Sequence, residues 1–288
     1  MTSSDRYFTP RTLEEAAGIL SQGGVTMLAG GTDLMVQTRA GRVRFQPALM
    51  NIRHIAELQG ISLHDGAVRI GALATITDLL TNPILREKLP VLTEMADHFA
   101  SDQIRNAGTV GGSLCNASPA GDVAPPLLVL DAQVELVSKP NGAMCMRTLP
   151  IAEFFTGPGR TRREPNELLA AVRVPLPRPA FVARFLKFGT RPALDIATIA
   201  IAIGGVKKGR ALHDVRVALG AVAPVPLRAE RTEAALEGRD LDVAVIEAAA
   251  AMARDEAKPI SDVRATAWYR QELVHNLIKR ILFNVAQG

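Results

Sequence analysis

The sequence has few cysteines and few aromatic residues, and each shortage excludes a class of protein. Cysteine occurs at Cys115 and Cys145 in a chain of 288 residues. Two thiols are too few for a four-cysteine iron–sulfur cluster, a four-cysteine zinc site or a disulfide framework. Aromatic residues make up 4% of the chain and the formal net charge is only +4, so we expect no nucleic-acid-binding surface.

Long apolar runs are missing as well. No uninterrupted stretch of about 18 apolar residues occurs, so we expect no membrane span. The first ten residues lack the basic and apolar segments of a secretory signal, and the five histidines show no HExxH or HxxxH spacing. The composition, 48% hydrophobic and 22% charged, is that of a folded protein. We therefore expect a cytoplasmic protein of about two domains with no metal site of its own.

Helical and extended patterns alternate in the first part of the chain. Thr12 and Glu15 have the spacing of a capping box, which predicts a helix that runs through Leu20. Asp65 and Gly66 separate two short apolar runs, which predicts a hairpin. The other predicted elements are an amphipathic helix at 89–100 and extended segments at 25–28, 127–131, 134–138 and 143–148.

Three prolines between Val174 and Pro179 mark the expected domain boundary, because neither a helix nor a central strand tolerates them. We therefore divide the chain into domains at 1–175 and 176–288. Strands are predicted at 181–188, 196–206 and 212–222, and helices at 231–236, 242–257 and 266–286. A sheet followed by a helical layer is an α+β arrangement.

Two glycine-rich passages are the main functional signal. The first is 28–33 (LAGGTD), followed by a helix-compatible stretch, and the second is 104–122. Glycine lets a ligand approach the main chain, and consecutive N–H groups suit a phosphate oxygen. Two such loops that converge would suit the pyrophosphate of a dinucleotide, although Gly-Gly pairs are also ordinary turns. Neither passage fits the Rossmann or P-loop pattern, which disfavours both folds.

Two charged residues each allow two interpretations of their role. Asp122 follows the second passage, where a carboxylate is suited either to accept ribose hydroxyls or to cap a helix. Lys187 lies between apolar residues on a predicted strand. It is either a solvent-facing residue of an alternating strand or a cation beside the anionic form of a redox ring.

These passages make the sequence resemble the FAD-binding medium subunit of the molybdenum hydroxylases, the group of xanthine dehydrogenase and aerobic carbon monoxide dehydrogenase. The resemblance spans nearly the whole chain. It rests on passages that keep the family's order and spacing: 29–34 (AGGTDL), 103–112 (QIRNAGTVGG), 118–122 (SPAGD), 167–175 (ELLAAVRVP), 194–197 (LDIA) and 261–264 (SDVR) ahead of Tyr269 and Arg270. It implies a two-part FAD-binding domain of the PCMH type, then a C-terminal α+β domain with a three-stranded antiparallel sheet and a three-helix layer.

The resemblance also implies the site residues. The main chain of the first passage would hold the FAD pyrophosphate through Leu28, Ala29, Gly30, Gly31, Thr32, Asp33 and Leu34. The second FAD loop corresponds to Thr109, Gly111, Gly112 and Ser113, with a main-chain flavin contact at Cys115. Asp122 matches the acidic FAD contact, and the residues near the isoalloxazine ring correspond to Leu169, Lys187 and Phe99.

The function implied by the resemblance is electron relay. The chain would carry FAD, take single electrons from the 2Fe–2S clusters of a small partner supplied by a large molybdopterin partner, and pass them to NAD+, a quinone or another acceptor. A dimer of heterotrimers is expected, and the passages 32–33, 154–159 and 221–226 resemble the branch that hydroxylates purines and other N-heterocycles. Two cysteines exclude the extra 4Fe–4S insert of some members.

Two alternatives stay open. One is a non-catalytic nucleotide-binding or assembly subunit, which would carry no flavin. The other is a stand-alone flavin oxidase of the vanillyl-alcohol type, which would oxidise its substrate without partners. No histidine lies in either Gly-Gly loop, which argues against a covalent flavin link.

Overall fold

A small parallel sheet opens the chain. The computed structural model describes residues 5–191 and 194–287. The first elements are β1 (Arg6–Phe8), α1 (Leu13–Leu20), β2 (Val25–Leu28), α2 (Leu34–Arg39) and β3 (Ala48–Asn51). The strands pair in the order β1–β3–β2. The Thr12 hydroxyl accepts the Glu15 N–H at 3.1 Å, so the predicted start of α1 is confirmed.

A five-stranded antiparallel sheet forms the second layer of the N-terminal part. Its strands lie in the order β4–β5–β10–β6–β7. The predicted hairpin is confirmed, with Asp65 and Gly66 both at positive φ in its turn. The strands of this region are β4 (Ile61–His64), β5 (Ala67–Gly71), β6 (Gln133–Ser138), β7 (Cys145–Pro150), β8 (Phe155–Gly157), β9 (Arg160–Thr161) and β10 (Leu168–Pro175).

Short helices fill the connections of this sheet. They are α3 (Ile76–Thr81), α4 (Pro83–Lys88), α5 (Pro90–Asp97), α6 (Asp102–Arg105), α7 (Val110–Asn116), α8 (Ala124–Val129) and α9 (Ile151–Phe154). The amphipathic helix expected at 89–100 is therefore shorter and ends at Asp97.

The extended segment predicted at 127–131 is wrong, because most of it belongs to helix α8. Every residue of this helix is buried, and a short apolar run of that kind carries no period that separates a strand from a helix. Pro125 and Pro126 lie in its first turn, where their missing N–H groups would have no intrahelical acceptor. The prolines therefore favour the helix that the apolar run concealed.

The C-terminal part is a sheet covered by helices. Its elements are β11 (Phe181–Phe188), β12 (Ile199–Lys208), β13 (Ala211–Gly220), β14 (Leu227–Arg228), α10 (Glu230–Leu236), α11 (Val243–Glu256) and α12 (Ala267–Gln287). The strands pair antiparallel in the order β11–β12–β13–β14. The three predicted strands and three helices are present, and the two-residue strand β14 extends the sheet by one.

The two faces of strand β12 pack against different parts of the molecule. Its side chains alternate between faces. Ile199, Ile201 and Ile203 pack in one core with α11 and α12, whereas Ala200 and Ala202 pack in the other core with α8. The small alanines let the N-terminal part lie close against the C-terminal sheet. No helix in the described part of the chain is both long and apolar enough to cross a membrane.

Candidate functional site

The two glycine-rich passages meet at their main chains. A Cβ on Gly30 would lie 1.8 Å from the Ala107 carbonyl oxygen and 3.3 Å from the Gly108 Cα. No residue with a side chain fits there, because real Cβ atoms do not approach a carbonyl oxygen so closely. Gly30 is therefore required first by the contact between the loops. This contact confirms the prediction that the two loops converge.

The loops differ in which N–H groups they leave available. Within the described ranges, the N–H groups of Gly30, Gly31 and Thr32 donate to no protein acceptor. In the second passage the N–H groups at the start of α7 are engaged: Val110 donates to the Ala74 carbonyl at 2.9 Å, and Gly112 donates to the Thr109 hydroxyl at 3.0 Å. The first loop thus offers consecutive free donors to a phosphate group, whereas the second mainly shapes the wall.

A cavity of about 950 Å³ lies over both loops. This volume is near the upper end of the ~300–1,000 Å³ usual for ligand and cofactor sites. All of the predicted site residues except Leu28 line it: Ala29, Gly30, Gly31, Thr32, Asp33, Leu34, Phe99, Thr109, Gly111, Gly112, Ser113, Cys115, Asp122, Leu169 and Lys187. Leu28 stays in the sheet, where its carbonyl accepts the Ile52 N–H at 3.0 Å.

Asp122 and Lys187 form a buried ion pair in the cavity wall. The Lys187 Nζ lies 2.6 Å from the Asp122 Oδ2, and each side chain is only 7% exposed. Lys187 is therefore not a solvent-facing strand residue. Asp122 makes no capping hydrogen bond to α8, so the capping alternative is also not what the structure shows.

The pair leaves one polar atom unsatisfied. Asp122 Oδ1 is buried and, counting only described residues, has no hydrogen-bond partner. Lys187 Nζ makes a second contact, to the His98 carbonyl at 3.2 Å. Burial raises the pKa of Asp122, while the charges of Lys187 and His98 act in the opposite direction. A bound hydroxyl or amide donor would satisfy Oδ1, which makes Asp122 suited to hold a ligand.

Residues that sequence reasoning missed also line the cavity. Arg163 Nη1 donates to the Glu167 carbonyl at 2.8 Å, while its Nε is buried and unpartnered within 5–191 and 194–287. Gln37 donates to Asn116 at 2.9 Å and so links α2 to α7. Arg163 stands in a run of charged residues typical of an exposed loop, so no sequence signal could have marked it.

Cys115 and Asp195 are two further residues of the cavity wall. The Cys115 thiol lines the cavity with its pKa raised by burial, so it stays protonated at neutral pH. The Asp195 carboxylate lines the cavity and accepts hydrogen bonds from Thr190 and from the Ile196 N–H. In the part of the chain that is described, no group of three or more His, Cys, Asp or Glu side chains is placed to hold a metal ion.

Family models match both parts of the chain. Residues 2–177 match the FAD-binding domain in molybdopterin dehydrogenase. Residues 184–285 match the CO dehydrogenase flavoprotein C-terminal domain.

Curated relatives match along nearly their whole length. The chain is 35% identical over 281 residues to the putative xanthine dehydrogenase FAD-binding subunit of Escherichia coli strain K12, which covers 96% of this chain and 94% of that protein. It is 34% identical over 280 residues to the carbon monoxide dehydrogenase medium chain of Hydrogenophaga pseudoflava, with 96% and 95% covered.

Solved structures agree with these relatives. Carbon monoxide dehydrogenase from Hydrogenophaga pseudoflava, in a form that lacks the Mo-pyranopterin moiety of its cofactor, matches with a TM-score of 0.91 at 33% identity, covering 97% of this chain and 96% of that one. Quinoline 2-oxidoreductase from Pseudomonas putida 86 matches with a TM-score of 0.92 at 28% identity, covering 100% and 99%. The chain therefore belongs to the FAD-binding medium subunits of the xanthine dehydrogenase and carbon monoxide dehydrogenase family, the flavin-carrying subunits of molybdenum-containing oxidoreductases.

Proposed function

We propose that this chain is the electron relay of a molybdenum hydroxylase. It takes electrons from the 2Fe–2S clusters of a small partner subunit and delivers them to NAD+ or another acceptor, while a large molybdopterin partner hydroxylates a purine-like N-heteroaromatic substrate. The observation that carries the proposal is one cavity that combines free main-chain donors with the buried Asp122–Lys187 pair. FAD supplies the chemistry of accepting electrons singly and releasing them in pairs.

The residues present fit the cofactor. The free N–H groups of Gly30, Gly31 and Thr32 would hold the pyrophosphate, since consecutive main-chain donors suit phosphate oxygens. The unsatisfied Asp122 Oδ1 would accept a hydrogen bond from FAD. Leu169, which is buried and lines the cavity, would supply an apolar wall for the ring.

The positive charge that Lys187 would present to the ring is reduced by its ion pair with Asp122. Lys187 would favour a negatively charged reduced ring by Coulomb attraction in a site partly shielded from water. Its contact with Asp122 offsets most of that charge at longer range. We therefore assign Lys187 a short-range role as a hydrogen-bond donor and local positive charge, held in place by Asp122.

The partner assignment follows from what the chain carries. A chain with two cysteines cannot hold the clusters that would feed its flavin, so a separate iron–sulfur chain has to deliver the electrons. We propose a dimer of heterotrimers. Similar relatives are medium chains or FAD subunits, which supports a place in a larger complex.

The substrate class rests on the sequence passages at 32–33, 154–159 and 221–226. Overall identity does not discriminate between the two substrate branches, because the xanthine dehydrogenase subunit is 35% identical and the carbon monoxide dehydrogenase chain 34%.

We also propose the division into domains at 1–175 and 176–288. It is supported by the end of β10 at Pro175 and the start of a separate sheet at Phe181.

The test is co-expression of the chain with a small 2Fe–2S chain and a large molybdopterin chain. We expect a stable complex in which a purine substrate bleaches the flavin absorption band. Removal of FAD should abolish turnover with the acceptor while the substrate still reduces the clusters. Purification without any flavin would favour the assembly subunit, and full-rate substrate oxidation by the isolated chain would favour the stand-alone oxidase.

A further inference from the structure

The passage 261–264 and the nearby Arg270 have no part in the cavity wall, yet they form a tight hydrogen-bonded unit. The Asp262 Oδ1 accepts the Arg264 N–H at 2.9 Å and the Ala265 N–H at 3.2 Å. The Ser261 hydroxyl accepts the Ala267 N–H at 2.9 Å, at the start of α12. This loop therefore has a fixed shape, and Asp262 lies at its centre.

Arg270 joins this loop to two other segments. It lies in the first turn of α12 and is 3% exposed. Its Nη1 donates to the Thr198 carbonyl at 2.6 Å and to the Ala221 carbonyl at 2.8 Å, and its Nη2 donates to Asp262 at 2.8 Å. A planar guanidinium with several fixed donors is the side chain suited to bridge three acceptors at once.

The segment of Thr198 reaches the FAD cavity, and Ala221 contacts a turn that does. The Ala221 N–H donates to the Pro119 carbonyl at 2.7 Å, in the turn that leads to Asp122. Ile196, two residues before Thr198, lines the cavity itself. A single side chain in α12 is therefore linked to two parts of the cavity wall, through Thr198 to the segment of Ile196 and through Ala221 to the turn before Asp122.

The backbone at Ala221 gives independent support. Its φ is +62°, a left-handed conformation that is uncommon for a residue with a side chain. Such a conformation persists where the surroundings over-determine it. Here the N–H is bound to Pro119 and the carbonyl to Arg270, so the clamp holds the residue from both sides.

We propose that Arg270 is a positioning residue for the FAD site, held in register by Asp262. It acts through Ala221 on the turn at 118–122 and through Thr198 on the segment that carries Ile196. The proposal rests on the proposed function insofar as FAD is the occupant of the cavity. It extends the support of the cofactor site to helix α12, which does not line the cavity.

The test compares Arg270→Lys and Asp262→Asn with the control Arg264→Lys in the full chain. Arg264 belongs to the same passage, but its side chain is 36% exposed and lies 3.4 Å from Asp262. The readouts are the Kd of added FAD by fluorescence titration, the visible circular dichroism of the bound flavin, and thermal unfolding without FAD. Lysine keeps the charge but cannot bridge all three acceptors, so Arg270→Lys should raise the Kd by roughly tenfold, the scale of one charged hydrogen bond.

The other variants keep the proposal testable. Asp262→Asn retains an acceptor oxygen and should raise the Kd by a smaller factor, and Arg264→Lys should leave it unchanged. Ala221→Gly eases the left-handed backbone, so it should restore part of the FAD affinity lost in Arg270→Lys.

Three results would separate the hypotheses. If Arg270→Lys and Asp262→Asn lower only the unfolding temperature, with the Kd and flavin spectrum of wild type, Arg270 merely stabilises its own domain and the positioning role is overturned. If Arg270→Lys does not fold, an unchanged Kd in Asp262→Asn overturns it. If the wild-type chain itself fails to bind FAD, the proposed function is overturned together with the positioning role.

Discussion

The buried pair of Asp122 and Lys187 gives a prediction whose size follows from the structure. The change is Lys187→Met, which keeps an unbranched side chain of similar length and removes the charge. Because both partners are 7% exposed, the substitution leaves the Asp122 carboxylate buried without its cation. The carboxylate then either stays charged in an unfavourable environment or takes up a proton.

A charged and a protonated Asp122 lower the free energy of unfolding by similar amounts. Breaking a buried pair by removing one partner typically costs about 3–5 kcal/mol. Protonating a carboxyl of ordinary pKa at pH 7 costs about 4 kcal/mol, since each pH unit above the pKa contributes about 1.4 kcal/mol. We therefore expect Lys187→Met to lower the free energy of unfolding by about 3–4 kcal/mol at pH 7. The double variant Asp122→Asn/Lys187→Met removes both charges and should lie within about 1 kcal/mol of wild type.

The assay is denaturant unfolding of the FAD-free chain, followed by circular dichroism. In Lys187→Met the pKa of folded Asp122 lies above its unfolded value, so the folded state binds the additional proton and the variant should gain stability as the pH falls from 7 to 5. Lys279→Met removes a surface partner of Glu247 and serves as the control, with an unchanged midpoint expected. Additive losses in the double variant would refute the coupling of Asp122 to Lys187.

Four further predictions concern the loops and the cofactor. Asp122→Ala should weaken FAD binding by about 1–3 kcal/mol in an equilibrium titration, and lost stability with unchanged affinity would contradict this. Wild-type FAD affinity should fall as acid protonates Asp122 through its raised pKa, whereas a flat profile is expected for Asp122→Asn. Gly30→Ala should unfold the loops, because its Cβ would lie 1.8 Å from the Ala107 oxygen; normal thermal unfolding would disprove the contact. Thr109→Ala should cost about 1 kcal/mol of stability through the lost cap, measurable by thermal unfolding.

The sequence by itself determined the elements with strong local signals. Thr12 begins its helix through a hydrogen bond to a residue three positions away, and Asp65–Gly66 closes a hairpin within a two-residue turn. The three C-terminal strands and helices follow from alternation and period in the same way. The glycine passages and their order also indicated the family. All of these signals lie within short stretches of chain, so they can be found without knowing what packs against them.

Tertiary structure decided the features that depend on distant partners. The apolar run at 127–131 is mostly helical, and the sequence hides this because every residue of α8 is buried in the core and no period marks a helix. Asp122 and Lys187 are 65 residues apart in the sequence, and no local pattern predicts their ion pair. Leu28 stays in the sheet, and N–H groups at the start of α7 donate to protein acceptors such as Ala74 and Thr109. These outcomes depend on which acceptors and side chains the fold brings within hydrogen-bonding distance, and that information is not present in any local pattern.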